Sequence, residues 1–108
     1  MRATVAVRDG EAQLAVDAWL SKTTSERRAV VFESPFDEVH VPDDVPVVRL
    51  GGACACCLGQ LPLRVAIVRL MRSQRPAAVL LLLSGPEHAN RVRALLADGS
   101  LGICFDVE

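Results

Sequence analysis

The stretch Ala78–Leu83, AVLLLL, constrains the fold more than any other part of this 108-residue chain, because six consecutive apolar residues leave no polar face. A strand with one wet side alternates. A strand without alternation must be covered on both sides, as in the middle of a parallel sheet with helices on its two faces.

The rest of the chain supplies the neighbours for such a strand. Thr4–Val7, RAVVFE at 28–33 and VPVVRL at 45–50 are short β-type runs, and Asp9-Gly10 and Ser34-Pro35 end the first two. EAQLAVDAWLSK places Ala12, Ala15, Val16 and Trp19 at helical spacing. Pro62 suits the first turn of a second helix, in which Leu63, Ile67, Leu70 and Met71 form an apolar face ending at Arg75-Pro76. Ser84-Gly85-Pro86 opens a third helix with Val92, Leu95 and Leu96 inward and Gly99 at its end, and GICFDV at 102–107 reads as a closing edge strand. Alternating strands and helices predict an α/β fold, a small, mostly parallel sheet with flanking helices and right-handed crossovers, in a single domain over 1–108.

Composition narrows the function classes. With 51% hydrophobic residues, 23% charged residues and a net charge of −1, the chain fits an ordinary globular core and offers no basic field for nucleic acid. Arg64, Arg69, Arg72 and Arg75 are spaced like one solvated helix face. The apolar run at 77–83 is too short to span a bilayer, and the first residues lack the apolar core of a signal peptide. The expectation is a cytoplasmic protein with neither a nucleic-acid nor a membrane partner. In that compartment its four cysteines stay thiols.

Three of those cysteines fall within four positions, in GGACACCLGQLPLR at 51–64. Cys54, Cys56 and Cys57 follow a predicted strand and precede a predicted helix, and in parallel sheets loops at the carboxyl ends of strands collect ligands. The positive end of a helix dipole favours thiolate, which binds soft ions such as zinc or attacks electrophiles. Three readings follow: a metal site, a reactive thiol, or packing of small apolar side chains. A fourth ligand would come from His40, His88, Glu33 or Glu87, with Cys104 more remote.

The glycine-flanked C-x-C-C segment LGGACACC, the helix LPLRVAIVRLMRSQRP and the run AAVLLLLSGPEHANRVRALL together resemble the CobW-type GTPases, P-loop proteins that handle metals. The resemblance covers about residues 47–96. It implies that Cys54, Cys56 and Cys57 bind zinc or another transition-metal ion. Gly85-Pro86-Glu87-His88 matches a Gly-x-x-His turn of some family members, which makes His88 the leading extra ligand, and the fainter similarity of VVFESPFDEV adds Glu33.

The departures are as informative. A phosphate-binding loop needs G-x-x-x-x-G-K-[ST], and VAVRDGEAQLAVDAWL has only Gly10. SKTT at 21–24 contains Lys22, the only lysine, but Val16 stands where the first glycine belongs, and the segment follows a helix where a phosphate loop precedes one. It reads as a solvated helix end. LLLLSG has leucines where a magnesium-organising carboxylate belongs. The resemblance therefore implies a P-loop-NTPase-like remnant without intact Walker motifs: a shortened, non-hydrolysing relative that binds metal, with no nucleotide expected and no enzymatic activity. Apolar faces left by the shortening suggest a homodimer or a protein partner. The alternatives are a thiol redox or sulfur-transfer enzyme, and a scaffold that binds a full-length GTPase relative.

Overall fold

The computed structural model describes residues 2–7, 12–24, 26–33, 39–50, 61–83, 85–99 and 105–107. Along them run β1 (Arg2–Val7), α1 (Ala12–Lys22), β2 (Arg28–Phe32), β3 (Val47–Arg49), α2 (Leu61–Ser73), β4 (Ala78–Leu83), α3 (Pro86–Ala97) and β5 (Asp106–Val107). The strands form one sheet in the order β3-β2-β4-β1-β5, and every pairing is parallel.

The all-apolar strand takes the central place its sequence demands. β4 pairs with β1 over its whole length and with β2 from Ala78 to Leu82, and all six of its residues are buried. Alternation divides them between two cores. Ala78, Leu80 and Leu82 pack with Ala12, Val16 and Trp19 of α1, whereas Val79, Leu81 and Leu83 pack with Leu63, Ile67 and Leu70 of α2 and Ala89, Val92 and Leu96 of α3.

Chirality explains that division. The connections β1→β2 and β2→β3 travel toward the β3 edge, while β3→β4 and β4→β5 travel toward the β5 edge. Right-handed crossovers in opposite directions put the intervening chain on opposite faces. Hence α1 and the buried Val39 and Val45 of the β2–β3 connection share one face, and α2 and α3 share the other.

Several boundaries differ from the sequence expectation for local reasons. β3 spans only Val47–Arg49, because Pro46 has no N–H to donate; its carbonyl accepts from Val30 N–H at 2.9 Å, and Val45 instead closes a turn onto the Pro42 carbonyl. In α3 the apolar stripe is Ala89, Val92 and Leu96, and Leu95 is half-buried, as are Ala15 and Met71. Gly85 caps α3, Pro86 occupies its first turn, and Gly99 (φ +77°) follows the last turn in the left-handed region that glycine tolerates best. The predicted edge strand at 102–107 is described only from 105 onward, where Asp106–Val107 pair with Arg2 and Ala3.

The SKTT segment is a helix end, as expected, but a partly buried one. Lys22 is the exposed last residue of α1, while Thr23 is buried and its hydroxyl donates to the Trp19 carbonyl at 2.9 Å. Arg28 donates to the Leu20 carbonyl at 2.6 Å, satisfying another acceptor that the helix leaves open. On the far side, Arg93 of α3 donates to the Val5 carbonyl at 3.0 Å, beyond the part of β1 that β5 covers. A side chain thus protects an otherwise open strand edge. Arg64, Arg69, Arg72 and Arg75 are all exposed. No helix among the described residues is long and apolar enough to cross a membrane.

Leu81→Ala, at a fully buried position between α2 and α3, is expected to lower unfolding free energy by about 3 kcal/mol. Leu14→Ala, on the exposed side of α1 with 68% of its surface in solvent, should change it by less than about 0.5 kcal/mol. Paired urea titrations check both, with the slope unchanged.

Candidate functional site

Because neighbouring strands send their connections to opposite faces, the chain diverges at the carboxyl edge of the sheet, which is where open α/β sheets place ligands. Between β2 and β4 that divergence brings together two residues 55 positions apart. Glu33 follows β2, and its N–H still donates to the Leu82 carbonyl at 3.1 Å, so the strand geometry holds for one residue more. His88 is the third residue of α3. Its Nδ1 lies 3.3 Å from Glu33 Oε2.

The two side chains differ in solvation. Glu33 is 3% exposed, whereas His88 is 35% exposed. A carboxylate withdrawn from water needs hydrogen-bonding or charged partners to offset its lost hydration, and the imidazole is one of them. The contact also brings that carboxylate to the first turn of α3, where the helix dipole favours negative charge. When Glu33 is ionised its carboxylate only accepts, and Nδ1–H is then the donor. In that arrangement the contact orients the ring and leaves Nε2 on the side away from the carboxylate.

Of the five residues singled out as metal ligands, the structure joins His88 and Glu33. Cys54, Cys56 and Cys57 lie outside the described residues, as does Cys104. The described residues on either side of the cysteine segment flank the same edge. Leu50 N–H donates to the Phe32 carbonyl at 2.9 Å, immediately before Glu33, and α2, which begins at Leu61, packs on the same sheet face as α3. Among the described residues, no group of three or more His, Cys, Asp and Glu side chains is arranged to hold an ion.

The other candidate ligands stay apart from the pair. Glu87 is exposed. His40 is exposed on the α1 side, where the Gln13 carboxamide grips its backbone, accepting from His40 N–H at 2.6 Å and donating to the His40 carbonyl at 3.0 Å. Sequence reasoning missed this clamp. It also missed Arg49, whose guanidinium carbon lies 4.8 Å from the centroid of the Phe32 ring. The available signal was positional: both are the last residues of adjacent strands, in register.

In comparisons with protein-family models, curated proteins and solved structures, none matches this chain.

The Glu33–His88 contact is expected to show as a coupling of about 1 kcal/mol in a double-mutant cycle of Glu33→Gln and His88→Ala measured by denaturation. Additive effects of the two substitutions would mean that the contact does not persist in solution.

Proposed function

We propose that this chain binds a transition-metal ion, zinc foremost, through the thiolates of Cys54, Cys56 and Cys57 and the imidazole of His88. The observation that carries this reading is the Glu33–His88 pair, at the sheet edge from which the cysteine segment departs. Metal-ligating histidines characteristically donate their second ring nitrogen to a carboxylate, which fixes tautomer and direction. Glu33 fits that supporting role, with Nε2 of His88 directed to the ion. Three thiolates and one imidazole form a donor set that suits tetrahedral zinc.

The reading agrees with the resemblance to CobW-type proteins and with its departures. Leu82 and Leu83, at the end of β4, are fully buried, which supports the loss of a magnesium-binding carboxylate from this strand. Accordingly, the protein carries metal without hydrolysing nucleotide, in the reducing cytoplasm where thiolates persist, and a second copy or a protein partner receives or shelters the ion. The same pair also favours a second reading. A histidine held by a carboxylate can serve as the base that activates a cysteine nucleophile, and the thiol redox or sulfur-transfer alternative would use it in that way.

Elemental analysis of the reduced protein is expected to find about one ion per chain or per dimer. Cys56→Ser should release it, and Glu33→Gln should weaken affinity by about tenfold while leaving the thiols intact. Protein that stays metal-free with reduced, accessible thiols overturns the metal reading. Rapid alkylation of one cysteine, slowed by His88→Ala, would then support the nucleophile.

A further inference from the structure

The net charge of −1 conceals a segregation of charge along the chain. Residues 61–97, which contribute α2, β4 and α3, carry six arginines and one acidic residue, Glu87, whereas residues 8–46, which contribute α1 and β2, carry nine acidic and four basic residues. The described surface shows the same contrast between the two faces of the sheet. α2 exposes Arg64, Arg69 and Arg72 and contains no acid; on the other face α1 and the β2–β3 connection expose Asp17, Asp43 and Asp44, against Lys22 and Arg49. Arg69 and Arg72 stand three residues apart on one helix, and among the described residues neither forms an ion pair, so their mutual repulsion has no counter-charge within that set.

Each of these surfaces also presents an apolar centre. Leu14 of α1 is 68% exposed and Val65 of α2 is 39% exposed, the two most exposed large hydrophobic side chains described. Positions three and four apart are neighbours on a helix, which places Val65 and the half-buried Val68 among Arg64, Arg69 and Arg72, and Leu14 beside Asp17 and Ala18. An apolar centre inside a charged rim is the anatomy of a protein interface.

We infer that the chain associates head to tail, the outer side of α1 of one copy seated on the outer side of α2 of the next, with Leu14 against Val65 and Val68 and Asp17 against Arg69 and Arg72. Charge selects this symmetry. Two copies meeting through α2 bring arginine against arginine, and two meeting through α1 bring Asp17 against Asp17, so a two-fold dimer through either helix is opposed while unlike faces attract. A nucleic-acid backbone would satisfy the arginines but leave Val65 wet and Leu14 without a partner. Because α1 and α2 lie on opposite faces of the sheet, each pair keeps one free surface of each kind, and assembly extends instead of stopping at two. The contact is small, so it is weak and sensitive to salt.

The test is sedimentation equilibrium of the full chain over a range of concentrations, with the thiols kept reduced. In about 20 mM NaCl the average mass is expected to climb past that of a dimer as concentration rises, and in about 0.5 M NaCl association should weaken at least about tenfold. Arg69→Gln/Arg72→Gln removes the basic surface and Leu14→Ala/Asp17→Asn removes its complement; all four residues are exposed, so urea midpoints should be unchanged. Each variant alone should be monomeric, and an equimolar mixture should give a dimer that grows no further, since only one productive contact is left. Wild-type protein that stays monomeric in low salt overturns the assignment, whether or not a short DNA duplex then binds α2. So does a wild-type dimer that stops at two, association that survives either double substitution, or a mixture that fails to pair.

Discussion

The structure depends on covering β4 twice. A strand whose six residues are all apolar gains nothing from water on either side, so it has to sit between two strands and between two helical layers. β1 and β2 meet the first requirement by flanking it in parallel. Parallel neighbours cannot be joined by tight turns, so each connection must cross a face of the sheet. The handedness of those crossings then decides that α1 lies on one side and α2 and α3 on the other.

The same geometry decides where chemistry can occur. With connections leaving adjacent strands for opposite faces, the carboxyl edge opens between β2 and β4 and again between β2 and β3. The first opening holds a buried carboxylate against an imidazole; the second borders the stacked arginine. Neither arrangement contributes much to holding the sheet together. An exposed cation over an aromatic ring, and a hydrogen bond with one side chain partly in water, are each worth about 1 kcal/mol. The cores beneath them fix the positions, and the polar groups take the places left at the rim.

Much of the fold was legible because the patterns involved are local. The uninterrupted apolar run marked β4 to the residue, Pro86 and Gly99 marked the ends of α3, and the spacing of Ala12, Val16 and Trp19 marked the buried side of α1. Where apolar residues lay one position off the buried stripe, as with Leu95, periodicity alone could not choose between them, because a helix face is broad and tertiary packing selects its centre. The site was legible in part and for a different reason. Glu33 and His88 each stood at a strand end or a helix start, where ligands are expected, but what brings them together is the insertion of β4 beside β2, a property of strand order that no local pattern encodes. Arg49 escaped notice because a lone arginine at the end of an exposed strand looks like solvent-facing charge until the ring beneath it is seen.

Phe32 and Glu33 show how much rests on register. They are consecutive, so the pleat sends them to opposite faces: the ring joins the core under α1 and supports Arg49, while the carboxylate meets α3. A slip of one residue would drive a carboxylate into the apolar layer that contains Val16 and Trp19 and strand a phenyl ring beside an imidazole. Two backbone bonds at that point oppose the slip, Glu33 N–H to the Leu82 carbonyl and Leu50 N–H to the Phe32 carbonyl. They tie β2 to the strand on each side just where its side chains turn from packing to chemistry. The penalty for misplacing either residue makes the register specific, and that specificity keeps the carboxylate–imidazole pair and the stacked arginine on separate faces of one sheet.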